Sequence, residues 1–253
     1  MQVSGVDGGQ QFDFGKTSES YSKYRDIYPD LLYDILKSLG TAKDGSSWLD
    51  LGTGTGILPR NLYNPKADIT AVDIAENQIE HAKADAAENN MKIKYIVSAA
   101  ESTGLPDNCY DVITAAQCFP YFDRQKIIPE IKRMLKPCGK FIIIYMDWDL
   151  NDKIFEKSAQ IIKKYNPLWN PDNGGNKIMY ADFLPRRETK VYECEIPFTR
   201  ESWHGRMCAC RGTAASMDEN TFSLWESEHK KHLETVPEKF TVSHKLFISV
   251  FQI

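Results

Sequence analysis

Residues 48–56 read WLDLGTGTG, an apolar run carrying one acid, Asp50, and then three glycines at alternate positions, Gly52, Gly54 and Gly56. Glycine loses more backbone freedom on folding than any other residue, so this density marks a turn that needs bare backbone. Between a buried strand and a helix, such a turn lets main-chain N–H groups approach a ligand closely. The next apolar run, DITAVDIA (68–75), carries Asp73, 21 positions after Gly52. An acid at that strand end of an open α/β sheet takes the two hydroxyls of a ribose. The spacing is G-x-G-x-G, not the dinucleotide G-x-G-x-x-G that aims a helix N-terminus at a pyrophosphate. A nucleoside without phosphates needs only the turn and the acid, which disfavours a nicotinamide-dependent dehydrogenase.

Outward from this turn, strands and helices alternate. SSWLDLG (46–52), DITAVDIA (68–75), KIKYIVSAA (92–100), YDVITAAQCF (110–119) and KFIIIYMDW (140–148) read as strands. Helices are expected over 57–64, 75–90 and 123–139, the last closed by Pro137 and Gly139. An N-terminal helix from Tyr21 and Tyr24 through Leu39 precedes them, closed by Gly40. Strands alternating with helices imply a doubly wound, mostly parallel sheet. Beyond residue 149 a helix over 150–165, a turn-rich stretch at 166–179, and helices near 200–212 and 218–235 are flanked by strands at 189–199 and 239–253. The period-2 alternation of those last strands suits an antiparallel edge. The expectation is one domain over 1–253: a ligand-binding core at 20–148, a partly helical lid and substrate-covering elements at 149–238, and a final strand at 239–253.

The totals set limits. The 253 residues are 42% hydrophobic and 26% charged, with a formal net charge of −4, ordinary values for a globular protein with a core of its own. No strong basic cluster appears, which argues against a nucleic-acid partner. No apolar run approaches the ~20 residues of a membrane span, and the N-terminus lacks the basic and apolar regions of a signal peptide. The six cysteines show neither C-x-x-C pairs nor a disulfide framework, so a cytoplasmic location is expected.

The segments YSKYRDIYP, LDLGTGTGIL, VDIAENQIEHAK, AAESTGLPDNCYDVITAAQCFPYFD and EIKRMLKPCGKFIII together resemble the class I S-adenosylmethionine-dependent methyltransferases, in particular their small-molecule branch of trans-aconitate and ubiquinone-pathway enzymes. The resemblance covers residues 20–148 closely and implies a Rossmann-like sheet of seven strands, one of them antiparallel, with S-adenosylmethionine as cofactor. It implies that Asp50, Gly52, Thr53 and Gly54 surround the methionine part, Asp73 the ribose, and Ile74, Ala100 and Glu101 the adenine. It also implies that Gln117 lies near the sulfonium, while Tyr21 and Arg25 close over the cofactor, Arg25 on its carboxylate.

The sulfonium carries the electrophile, so the protein must chiefly align an acceptor with the methyl group. An O or N acceptor that carries a proton needs a base to take it, yet Pro120 stands where many relatives carry a His. Candidate catalytic residues are therefore His204, Arg206 and Tyr121, with Arg206 and Arg211 suited to a carboxylate substrate. No metal site is expected: Cys208 and Cys210, two apart, point away from each other on a helix, and Cys118 reads as a buried small hydrophobe. The resulting expectation is methyl transfer to a small-molecule O, N or carboxylate acceptor. The alternative is a catalytically silent nucleoside sensor on the same fold.

Overall fold

A computed structural model describes residues 7–11, 24, 28–172 and 184–252. The chain separates into two compact units. Of the described residues, the larger comprises 28–146, 184–192 and 246–252; the smaller comprises 7–11, 24, 147–172 and 193–245.

The larger unit begins with α1 (Asp30–Ser38), which starts after Pro29 and buries Leu32, Tyr33 and Leu36. Of the expected long N-terminal helix, only this last part falls in a continuous described stretch; Tyr21 and Arg25 lie outside the described residues. Then come β1 (Ser47–Leu51), α2 (Ile57–Asn61), β2 (Asp68–Asp73), α3 (Glu76–Glu88), β3 (Lys94–Val97), β4 (Tyr110–Ala116), α4 (Arg124–Met134) and β5 (Leu135–Trp148). Strands β6 (Arg186–Thr199) and β7 (Lys239–Gln252) complete a seven-stranded sheet ordered β3-β2-β1-β4-β5-β7-β6.

Strands β1 to β5 pair in parallel, with Asp50 opposite both Ala71 of β2 and Thr114 of β4. Strand β7 runs antiparallel to β6: the Gln252 N–H donates to Pro185 O, and the Thr189 and Ser249 hydroxyls meet at 2.6 Å. Chain order runs outward from β1 to β3 on one side and from β4 on the other, so the direction of winding reverses between β1 and β4. Ligands of open α/β sheets bind at that switch point, beyond the carboxyl ends of the strands. Leu49, Leu51, Val72, Ile113, Ala115, Phe141 and Ile143 are sealed from water in the core beneath it.

Several boundaries differ from expectation. The helix expected over 123–139 stops at Met134, and Leu135 turns extended (ψ 138) to open β5. Pairing with β4 claims the segment: Leu135 lies opposite Tyr110 and Lys140 opposite Val112, with a register shift between them that accommodates Pro137. Strand β4 ends at Ala116, because Gln117 takes a left-handed φ of 63° and residues 119–121 form a 3-10 turn. Residues 98–100 leave the sheet after β3, and Ala100–Ser102 is another 3-10 turn.

The smaller unit holds α5 (Lys153–Tyr165), α6 (Arg200–Cys208) and α7 (Glu219–Leu233). Each opens on a side-chain cap, from Asp152, Thr199 and Asp218 respectively. The helix expected to reach residue 212 ends at Cys208, so Arg211 lies beyond it. There its guanidinium bonds the buried Asp7 carboxylate at 2.5 and 3.0 Å. Arg211 is therefore committed to an internal ion pair, not to a substrate carboxylate. Among the described residues, no helix is long and apolar enough to cross a membrane.

Candidate cofactor site

The ends of β1, β2 and β4 bring together the residues singled out in the sequence. Gly52, Gly54 and Gly56 all adopt left-handed φ values, of 64°, 57° and 76°. At Gly52 the reason is steric as well as conformational: a Cβ would lie 2.7 Å from both Cβ and Sγ of Cys118, which packs under the turn. The Cys118 thiol meets Leu51 O at 3.1 Å, and burial, with the Asp50 and Asp73 carboxylates nearby, pushes it well above the usual thiol range. It packs against the core partly buried, where a fully buried small hydrophobe was expected.

Asp73 organises the turn. Its carboxylate accepts from Gly54 N at 2.8 Å and from Ala75 N at 2.9 Å, one bond to each oxygen. A carboxylate has about four lone-pair sites, so each oxygen retains capacity for a hydroxyl donor. Burial raises the Asp73 carboxyl, opposed by those N–H bonds. Beside it, Ile74 exposes 60% of its surface, an apolar face suited to a nucleobase. Bare glycine backbone, a half-satisfied acid and an adjacent apolar face fit a nucleoside-containing cofactor.

Beneath the turn lies a buried polar chain that the sequence did not announce. Trp48 Nε1 donates to Thr114 Oγ1 at 2.8 Å, and that hydroxyl donates to Asp50 Oδ1 at 2.6 Å. Asp50 is 2% exposed, and burial raises its carboxyl to about 7 although the Thr114 bond lowers it. Thr53, buried beside it, donates its N–H to Val72 O at 3.0 Å.

The remaining expected residues are built into the surrounding loops. Ala100 is buried, and Glu101 Oε1 accepts from Asp123 N at 2.8 Å, tying the turn after β3 to the start of α4. Gln117 Nε2 donates to Met146 O at 2.7 Å, which holds its unusual backbone at the end of β4. Tyr121 closes the following 3-10 turn.

His204 and Arg206 belong to the smaller unit. His204 meets His229, Glu226 and Cys208, while Arg206 is 5% exposed with its guanidinium 5.0 Å above the Trp148 ring.

Residues 49–143 match the methyltransferase domain family. A protein of Dictyostelium discoideum named as a candidate methyltransferase is 33% identical over 182 residues, 69% of this chain and 66% of that protein. The ubiquinone biosynthesis O-methyltransferase of Rickettsia akari is 30% identical across 57% of this chain and 55% of its own length. The chain thus spans just under two thirds of the first relative and about half of the second. Among solved structures, the YcgJ protein of Bacillus subtilis superimposes with a TM-score of 0.56 at 17% identity, covering 89% of this chain and all of that one (100%). A structure from Anaeromyxobacter dehalogenans, described as a candidate type II methyltransferase, gives 0.59 at 20% identity, covering 89% and 95%. At such identities the structural likeness speaks for the fold, while the sequence relatives and the glycine turn speak for the family. Residues 49–143 of this chain carry a methyltransferase domain.

Proposed function

We propose that this protein binds S-adenosylmethionine at the β1–β4 switch point and transfers its methyl group to a small-molecule acceptor. The observation that carries the reading is Asp73, which fixes the glycine turn through Gly54 N and keeps acceptor capacity for a ribose diol. When bound, the cofactor supplies an electrophilic methyl group on a sulfonium. Asp73 holds the ribose, Ile74, Ala100 and Glu101 border the base, and Gly52, Thr53 and Gly54 line the methionine end. Burial raises the Asp50 carboxyl to about 7, and a cation bound at that end would draw it toward its ionised form. Gln117 sets the floor after β4, and Tyr121 is the nearest phenol to it in sequence. Tyr21 and Arg25 keep the roles the family resemblance implies.

The small-molecule acceptor is supported by the resemblance to the ubiquinone O-methyltransferase. The test is incubation with methyl-labelled S-adenosylmethionine and a panel of carboxylates, phenols and amines, with label followed into product. Transfer to one class establishes the acceptor. Tight cofactor binding with no transfer to any would favour the sensor, a reading consistent with Pro120 at the position where a base is common.

A further inference from the structure

In the smaller unit, α6 places His204 and Cys208 one turn apart on the same face, and α7 brings Glu226 to them. Cys208 Sγ lies 3.5 Å from His204 Nε2, and Glu226 Oε1 lies 3.4 Å from that same nitrogen. The three donor atoms all fall within 4.8 Å of one another. Tetrahedral zinc, with Zn–S of about 2.3 Å and Zn–N or Zn–O of about 2.05 Å, separates its ligands by about 3.6 Å (S to N) and about 3.4 Å (N to O). Two of the three edges already have that length; a small rotation of the partly exposed Glu226 closes the third.

The other side of the imidazole is arranged to match. His204 Nδ1 lies 2.8 Å from His229 Nδ1, and His229 Nε2 lies 3.1 Å from Ser158 Oγ of α5. Trp203 Nε1 donates to the same hydroxyl at 3.0 Å. If His204 donates from Nδ1, His229 accepts there and donates from Nε2 to Ser158, leaving His204 Nε2 with a bare lone pair toward Cys208 and Glu226. A histidine whose second nitrogen is held by a partner is the usual support of a metal ligand. The ring is further fixed by stacking on Trp225, 5.6 Å between centroids at 12°.

The geometry points to a binding site for a borderline-soft divalent cation of the zinc class, held by His204, Cys208 and Glu226, clipping α6 to α7 with one position open to water. The expectation that Cys208 and Cys210 point apart took both as helical, but α6 ends at Cys208 and Cys210 lies beyond it; the neighbours of Cys208 are at i−4 and on the next helix. Two features must yield on loading. Lys230 Nζ, 2.9 Å from Glu226 Oε1, has a side chain 57% exposed and can swing into water. The Cys208 thiol loses its proton to solvent as the sulfur–metal bond forms.

The test uses the full chain, stripped with a chelator and titrated with Co2+, then Zn2+. One Co2+ per chain is expected, with a thiolate-to-cobalt charge-transfer band that Zn2+ abolishes. Cys208→Ser should lose the band and Cys210→Ser keep it. Glu226→Gln, at a partly exposed position that tolerates the change, should weaken Co2+ binding at least about tenfold. A folded wild type without the band, a band surviving in Cys208→Ser or lost in Cys210→Ser, or unchanged affinity in Glu226→Gln would each overturn the site.

Discussion

Replacing Gly52 by Ala probes the turn on which the site depends, and two separable costs can be worked out. The residue sits at φ 64°, where an L side chain costs about 1–2 kcal/mol. The new methyl would also stand 2.7 Å from Cβ and Sγ of Cys118, with Phe122 Cζ at 3.5 Å. Because one of those close atoms is a Cβ, a rotamer change cannot relieve the contact, and overpacking of this kind costs about 1–3 kcal/mol. The sum is about 2–5 kcal/mol. At roughly 2–4 °C per kcal/mol for a domain of this size, thermal melts should fall by roughly 4–20 °C. Cofactor affinity should fall as well, since the same turn presents Gly54 N to Asp73. Adding Cys118→Gly removes the clash but not the backbone strain. A double-mutant cycle should therefore show a favourable coupling of about 1–3 kcal/mol, with a residual loss near the strain cost. A Gly52→Ala protein with unchanged melting temperature and unchanged cofactor binding would refute the reasoning.

Other perturbations test other parts. Thr114→Val keeps shape but leaves both Trp48 Nε1 and Asp50 without their shared hydroxyl; at about 1–3 kcal/mol per orphaned group, urea denaturation should show a loss of about 2–6 kcal/mol. Asp7→Asn should destabilise the smaller unit by about 3–5 kcal/mol by stranding a buried Arg211 charge, and Asp7→Asn with Arg211→Met should recover much of it; equal melts for single and double variants would refute the ion-pair account. Burial, with the nearby Asp172 charge, raises Asp147 to about 7 from its ordinary 3.8. The native state then holds a proton that the unfolded chain releases, so this group's contribution is full below about pH 4 and is lost as pH rises to about 7. Melts across that window should show Asp147→Asn gaining on the wild type as pH rises; a constant difference would contradict the shift.

The sequence was most legible where local chemistry decides structure. Three glycines at alternate positions must turn, and β1 and β2, apolar and short, had no competing period. Legibility failed where distant pairing decides. Residues 135–139 carry a helix-ending pattern, yet β4 captures them as strand across a register shift. Gln117 gave no sign of a left-handed backbone, because the bond that holds it reaches Met146 O on β5. Thr114 looked like one strand residue among many; only the register that sets it opposite Asp50 gives it a role. Arg211 could not be assigned because its partner, Asp7, lies 204 residues away. Cys210 lies beyond the end of α6, and nothing local to Cys208 announces Glu226 and His229, both on another helix.

The central claim is that the switch-point turn and Asp73 form a cofactor site. Calorimetric titration of the purified protein with S-adenosylmethionine and S-adenosylhomocysteine, beside Asp73→Asn, tests it most directly. Charge-assisted hydrogen bonds are worth about 1.5–3 kcal/mol each, and 1.4 kcal/mol is tenfold in affinity. The wild type should therefore bind both ligands at one site per chain, and a folded Asp73→Asn should bind at least about tenfold more weakly. No binding of either ligand to well-folded protein, or equal affinity in the variant, would contradict the claim.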